Sequence, residues 1–323
     1  MSLQAAAQWI REREEFILTT HAYPDGDALG SESALYLALT ALGKRVRVVN
    51  FHPLPRAYRW LPYAEVVETA DRMPPHRSCV VLDVGDLARI REGLTREELG
   101  EVLNIDHHSS GTPYGDVNWV DPTSPATGAM VYQLIRELGV PIDKAIAESI
   151  YTTLVTDTGG FRYSNTTPAL LRMAADLMDA GADAHTVCDH VFGHVPLKAF
   201  ELVRFALATI KTHLDGRIGV MTLSRVDFDR SGAAEEDTDG LVNYVRKLDG
   251  VEVGVFLKER PDGRIRVSLR SRNGLDVGAL AAALGGGGHK YASGVTMTCP
   301  LPEAVDKVVA ALIQALTEGS KKS

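Results

Sequence analysis

The sequence predicts an α/β protein of two domains: an N-terminal parallel sheet with helices on both faces, then a smaller C-terminal α/β domain. Three observations predict it. The chain has 323 residues, more than one hydrophobic core usually supports. In the first half, short apolar runs alternate with helical periodicities, the pattern of a parallel sheet covered by helices. After Leu214 a fresh set of strand-like runs begins, with Asp262-Gly263 as a hairpin signal. The expected boundaries are 1–190 for the first domain, 191–213 for a linker helix and 214–323 for the second domain.

Phe16 to Thr20 reads as the first strand, ending in a polar loop from His21 to Asp27. An apolar helix follows from Ala28 to Leu42 and stops at Gly43. Arg45 to Phe51 is a second strand, with Val46, Val48 and Val49 as its β-branched content. Cys79 to Leu82 and Val102 to Ile105 are short buried strands, each followed by an acidic residue. Helical patterns then run over Pro125–Leu138, Asp143–Val155 and Pro168–Ala180, and a long one over Pro196–His213. The second domain reads as strands over Arg217–Leu223, Val251–Lys258 and Arg264–Leu269, a helix over Asp237–Leu248, and an alanine-rich helix over Leu275–Leu284.

Composition narrows the function. The net charge is −8, from 34 basic and 42 acidic residues. Proteins that hold long nucleic acid neutralise many phosphates with Lys and Arg, so a long duplex is not the expected partner and the substrate is small. No run of about 18 apolar residues is present to span a membrane, and the start lacks the pattern of a secretory signal. Cys79, Cys188 and Cys299 are widely spaced and odd in number, which suits free thiols in a cytoplasmic protein.

In open α/β sheets, ligands collect at the carboxyl ends of the strands, and the chemistry-bearing residues of this chain fall there. The first strand runs into His21, Asp25 and Asp27, a later one into Asp83, and another into Asp106-His107-His108; a helix ends at Asp157. Singly, each of these acids is an ordinary cap or turn residue. Together they are a crowd of carboxylates that would repel one another unless cations intervene. Two divalent ions about 3.5–4 Å apart would neutralise four of them. Mixed oxygen and imidazole donors suit manganese first, with magnesium, cobalt or zinc as alternatives.

The runs His21-x-x-Pro24-Asp25-Gly26-Asp27-Ala28-Leu29-Gly30-Ser31, Asp83, Asp106-His107-His108 and Thr156-Asp157-Thr158-Gly159-Gly160-Phe161-Arg162-Tyr163-Ser164 resemble the DHH phosphoesterase superfamily, in its NrnA-like branch of short-oligoribonuclease and pAp-phosphatase enzymes. Gly285 to Gly294 resembles that family's DHHA1 domain. The resemblance implies one metal held by His21, Asp25 and Asp83, and another by Asp27, Asp83, His107 and Asp157, with Asp83 as the bridge. It implies that Asp106 orients the adjacent metal-bound imidazole and that the catalytic His108 faces the substrate phosphate.

In the second domain, four glycines follow the alanine-rich helix, more than a helix terminus needs. Their backbone N–H groups suit an anion, and His289 and Lys290 add cationic donors. Arg270, beside Ser271, suits a phosphate clamp through its paired donors. The expected substrate-binding set is therefore Arg270, Ser271, Gly286, Gly287, Gly288, His289, Lys290 and Ser293. With 13 basic and 15 acidic residues from 214 to 319, this domain is no general basic platform.

The expected function is hydrolysis of short oligonucleotides or 3′-phosphoadenosine 5′-phosphate (pAp) by a water that two metals activate. Alternatives are a cyclic or linear dinucleotide phosphodiesterase, a single-strand exonuclease, or a non-catalytic nucleotide sensor. A homodimer is compatible with the sequence, where Trp60, Leu61 and Tyr63 read as either a partner surface or core.

Overall fold

A computed structural model of the chain describes residues 2–75, 77–109, 111–272 and 274–319. The chain divides into two compact units, 1–194 and 195–323. In the first unit, α1 (Leu3–Arg11) starts where Ser2 accepts a hydrogen bond from the Ala5 amide, and it buries Ala6, Ala7, Trp9 and Ile10 as one stripe. Then come β1 (Glu15–Thr19), α2 (Gly26–Ala41), β2 (Arg45–Asn50), β3 (Val67–Thr69), β4 (Ser78–Leu82), β5 (Glu101–Asp106) and β6 (Val117–Val120). All five strand pairs are parallel, in the order β3-β2-β1-β4-β5-β6. The order reverses between β1 and β4. Chain leaving the carboxyl ends of those two strands turns away in opposite directions and opens a crevice there.

Period-two alternation sends Phe16, Leu18, Val48, Val80, Leu82, Leu103 and Ile105 to one face of the sheet. There they meet α1, α2, α3 (Thr127–Glu137) and α4 (Lys144–Asp157). Ile17, Val49, Cys79, Val81 and Val102 line the other face. Helices cover both faces, but on this second face they are the 3₁₀ turns Leu87–Arg89 and Arg96–Leu99. α5 (Pro168–Asp179), capped by Thr167 with proline in its first turn, and α6 (Ala184–Cys188) complete the unit. Leu61 and Tyr63 lie in the core, and Trp60 stacks on His190 with ring centroids 4.6 Å apart, so this stretch packs within its own unit.

Glycine sets how closely α2 and α4 approach. A Cβ on Gly30 would lie 2.5 Å from the Ser149 carbonyl oxygen and 2.6 Å from Thr153 Cγ2; one on Gly128 of α3 would overlap the Thr153 side chain. The start of α2 is thereby brought beside the end of α4.

The second unit opens with α7 (Leu197–Ala208), followed by β7 (Lys211–His213), β8 (Ile218–Leu223), α8 (Arg225–Ser231), α9 (Val242–Arg246), β9 (Val253–Glu259), β10 (Ile265–Ser271), α10 (Val277–Ala283), β11 (Gly287–His289), β12 (Ala292–Met297) and α11 (Leu301–Gly319). Its sheet has the order β11-β12-β10-β9-β8-β7, parallel only between β8 and β9. The helix expected over 196–213 stops at Ala208. Thr209 then exchanges hydrogen bonds with the backbone of Thr222, and the chain continues as an edge strand. Leu202 and Ala206 of α7 pack with Met221, Leu223 and Phe228, which makes the helix part of this unit's core. The helix expected over 237–248 is split into the 3₁₀ turn Glu235–Thr238 and α9, with Gly240 at φ 76° between them. No helix among the described residues is long and apolar enough to cross a membrane.

Candidate metal centre

The centre is built at the crevice. Thr20, one residue beyond β1, donates from its hydroxyl to the Leu82 carbonyl at 2.8 Å and ties the exits of β1 and β4 together. His21 follows. Asp25 caps α2, accepting from the Asp27 and Ala28 amides at 3.0 and 3.2 Å. Asp27 is 1 % exposed, and its carboxylate accepts from the Thr127 and Gly128 amides at 2.7 and 2.9 Å, at the start of α3. Asp83 leaves β4 with φ 64°, a left-handed conformation uncommon for any residue but glycine and recurrent at functional sites. It accepts from the Thr127 hydroxyl at 2.9 Å. His107 and His108 leave β5, and Asp157 is the last residue of α4.

These side chains converge. His21 Nε2 lies 3.5 Å from Asp83 Oδ2. His107 Nε2 lies 3.6 Å from Asp27 Oδ2, 3.6 Å from Asp83 Oδ1 and 3.9 Å from Asp157 Oδ2. Three donor triads have all their ligand atoms within 4.8 Å of one another: His21, Asp25 and Asp83; Asp27, His107 and Asp157; and Asp83, His107 and His108. Asp83 belongs to two of them. All six side chains expected from the sequence as ligands are in this one group.

The imidazoles are oriented as ligands require. His21 Nδ1 faces the Ala22 carbonyl at 2.9 Å and His107 Nδ1 faces the Ser124 carbonyl at 3.2 Å, so in each ring it is Nε2 that meets the carboxylates. Contrary to the expectation that Asp106 orients the metal-bound His107, the Asp106 Oδ1 lies 2.7 Å from His108 Nδ1, while His107 Nδ1 faces Ser124. The two rings lie edge to face with centroids 5.2 Å apart, and His108 turns its Nδ1 back onto Asp106. His108 Nδ1 is also 3.6 Å from Asp83 Oδ1.

Electrostatics fit a cation site. Burial raises the Asp27 carboxyl well above the usual range, and the nearby charges of Asp83, Asp157 and Asp25 raise it further against His107. Burial opposes ionisation of Asp83 too, but the hydrogen bond from His21 and the charges of His108 and His107 hold it well below the ordinary range. Both His21 and His107 are raised: burial works against them, and their carboxylate neighbours prevail. Asp157 adds a negative charge at the carbonyl end of α4, where the helix itself favours cations. Divalent ions would relieve every one of these conflicts, and mixed carboxylate and imidazole donors suit them.

Several contributors escape the sequence. The hydroxyl of Thr127 and the amides of Thr127 and Gly128 hold Asp83 and Asp27; their only trace is a small-residue stretch opening a helix. Glu32 is buried in α2 and accepts from Asn50 Nδ2 at 2.8 Å and the Tyr63 hydroxyl at 3.1 Å. Asn50 Oδ1 in turn accepts from the Thr20 amide at 3.3 Å, one residue before His21.

In the second unit, most of the residues expected to bind substrate cluster where β10, β11 and β12 meet. Arg270 pairs with Ala292 and Gly288 with Ser293, and the Ser271 amide donates to the Tyr291 carbonyl at 3.0 Å. Arg270 Nη1 donates to the Leu269 carbonyl, Ser293 Oγ donates to the Val277 carbonyl, and Lys290 Nζ sits 5.4 Å from the Tyr291 ring centroid. Ser271 Oγ is buried without a hydrogen-bond partner among the described residues. The His289 side chain lies outside the described residues. The glycine run is explained mainly by packing. Gly285 ends α10 at φ 83°, a Cβ on Gly286 would strike the Gly294 carbonyl, and one on Gly288 would lie 2.6 Å from the Ala292 carbonyl oxygen. Of the four, a Cβ would meet nothing nearby at Gly285 and Gly287, and Gly285 is already claimed by its positive φ.

The DHH family, N-terminal domain, matches residues 15–154, and the DHHA1 domain matches residues 216–318. The chain is 38 % identical over 302 residues to the bifunctional oligoribonuclease and PAP phosphatase NrnA of Thermus thermophilus, covering 93 % of this chain and 90 % of that protein. It is 28 % identical over 291 residues to the protein of the same name from Bacillus subtilis, covering 88 % and 90 %. The crystal structure of an exopolyphosphatase-related protein from Bacteroides fragilis superposes with a TM-score of 0.85 at 26 % identity, covering 98 % of this chain and 95 % of that one. With the DHH and DHHA1 domains matched in order and 38 % identity over nearly the whole of a named relative, the chain belongs to the DHH/DHHA1 family, among the NrnA proteins.

Proposed function

We propose that this chain is a metal-dependent phosphoesterase that hydrolyses short oligonucleotides and pAp. The observation that carries the reading is the linkage of three donor triads, two through the buried carboxylate of Asp83 and two through His107. His21, Asp25 and Asp83 would hold one divalent cation, and Asp27, Asp83, His107 and Asp157 the other, manganese being the first choice. Bound there, the cations supply Lewis acidity to the phosphate and lower the pKa of a water.

The residues of the chain do the rest. Thr127 and the amides that open α3 fix the carboxylates of Asp83 and Asp27, so the donors are in place before substrate arrives. His108, with Nδ1 held by Asp106, acts on the phosphate through Nε2, stabilising developing charge or giving a proton to the leaving oxygen. In the second unit, Arg270, Ser271, Lys290, Ser293 and the backbone of the glycine run are assigned to substrate binding, with Gly287 the position left open by packing. The names of the relatives, oligoribonuclease and PAP phosphatase, support both substrate classes. The net charge of −8 supports a small substrate, and three free cysteines suit a reducing, cytoplasmic setting.

The test is a panel of initial rates with manganese: pAp, the linear dinucleotide pApA, a pentaribonucleotide, a 20-residue DNA strand and pyrophosphate. Fast turnover of the first three is expected. Fast pyrophosphate hydrolysis with inert nucleotides would overturn the substrate class.

A further inference from the structure

Between His21 and Asp25 the loop from β1 to α2 carries an aromatic side chain that the metal centre does not use. Tyr23 has φ 55°, a left-handed conformation that a bulky residue adopts only when its surroundings hold it there. Its ring lies against the imidazole of His52, centroids 4.0 Å apart and planes at 45°. His52 comes from the loop after β2, the strand beside β1 in the sheet, so two neighbouring loops at the crevice hold the ring in place. Yet 53 % of Tyr23 remains exposed. An aromatic ring backed by a second ring, fixed by the backbone and left open to solvent, is the construction of a stacking platform.

Its place in the chain says what would stack. Tyr23 is two residues from a candidate metal ligand on either side, so a ligand that uses both the ring and the centre needs a planar group and a phosphate joined by a short link. In a nucleotide that link is one sugar and the planar group is the base. Every base offers a π-face, so stacking accepts any of them. Resting on the phosphoesterase reading above, we propose that Tyr23, backed by His52, is the stacking platform for the nucleobase of the nucleotide whose phosphate occupies the metal centre. The site would then discriminate for nucleotides and against phosphates that carry no base. Phe192, 50 % exposed and 3.8 Å from where a Cβ on Gly160 would stand, is a second exposed ring near a ligand loop. It lies in the turn Asp189–Gly193, remote in sequence from every ligand, and serves as the control.

The experiment titrates 2-aminopurine riboside 5′-monophosphate, whose fluorescence falls on stacking, with the full chain in the presence of manganese. Wild type, Tyr23→Phe, Tyr23→Trp and Phe192→Leu should quench the probe. Tyr23→Leu should abolish the quench and weaken binding about 5- to 150-fold, the range for losing one base–aromatic stack. Competition by ribose 5-phosphate should be equal in all five proteins, and calorimetric manganese binding should be unchanged, which shows that the loop still folds. The proposal is overturned if wild type gives no quench, if Tyr23→Leu quenches as wild type does, if Tyr23→Leu loses ribose 5-phosphate by the same factor, or if the effect follows Phe192→Leu. Should Tyr23→Leu lose manganese, Tyr23→Trp decides alone: weaker binding than wild type sinks the idea. A protein that quenches the probe yet hydrolyses neither pAp nor pApA refutes the proposed reaction and leaves the platform standing.

Discussion

Glu32→Gln removes one buried charge from α2, and its consequence depends on pH. The Glu32 side chain is fully buried; one oxygen accepts from Asn50 and Tyr63, and the other finds no partner among the described residues. Burial outweighs the two hydrogen bonds and the charge of His21 and lifts the carboxyl from 4.5 to about 7. A raised acid binds its proton more tightly in the fold than in the unfolded chain. Its contribution to stability is therefore complete below pH 4.5 and is lost as pH rises through about 7. The difference between the two values corresponds to about 3 kcal/mol. Glutamine keeps the shape without the charge, at a cost of about 1 kcal/mol for burying an amide whose donors are poorly matched. Relative to wild type, Glu32→Gln should thus be slightly less stable at pH 4.5 and more stable by about 2 kcal/mol at pH 8. Urea unfolding in EDTA, followed by tryptophan fluorescence, measures this. Trp9, Trp60 and Trp119 are the only tryptophans and all lie in the first unit, so the signal reports that unit alone. A stability difference that stays constant from pH 4.5 to 8, or that favours the variant at acid pH, would refute the reasoning.

Gly30→Ala should cost about 1–3 kcal/mol by forcing α2 from α4, and should weaken manganese binding because those helices carry Asp27 and Asp157; urea midpoints and calorimetry check both. Gly286→Ala should destabilise the second unit by a similar amount through its collision with Gly294, whereas Gly287→Ala should unfold within about 0.5 kcal/mol of wild type. If Gly287→Ala is as stable as wild type but binds pAp far more weakly, the glycine backbone contacts substrate; equal binding assigns the run to packing alone. Asp106→Asn should lower kcat about 10- to 100-fold with KM and metal stoichiometry unchanged, since the contact it loosens is the one to His108 Nδ1. A loss of bound manganese in that variant would show that Asp106 acts on the metal instead.

The centre was legible in the sequence because its parts are short-range signals: a buried strand run followed at once by an acid or a histidine. His21, Asp83 and His107 each sit one or two residues past a strand, and strand–helix alternation predicts a parallel sheet whose carboxyl ends share one edge; the order that sets β1, β4 and β5 side by side comes from the structure. What could not be read depends on contacts across elements. Which of two adjacent imidazoles turns toward Asp106 is decided by backbone direction after β5, where His107 instead meets Ser124, seventeen positions on. The glycine run looks like an anion loop in one dimension; only the β11–β12 pairing places Gly294 and Ala292 where side chains at Gly286 and Gly288 would be. The apolar pattern of 196–213 continues past Ala208, but Thr209 finds backbone partners in β8 and the helix yields to a strand. Glu32 left no signal at all, because a single acid in a helix is ordinarily a solvated one.

Crystals grown with manganese and measured at its absorption edge test the central claim most directly. Two anomalous peaks per chain are expected, one against His21, Asp25 and Asp83 and the other against Asp27, Asp83, His107 and Asp157. A single peak, or peaks away from Asp83, would contradict it.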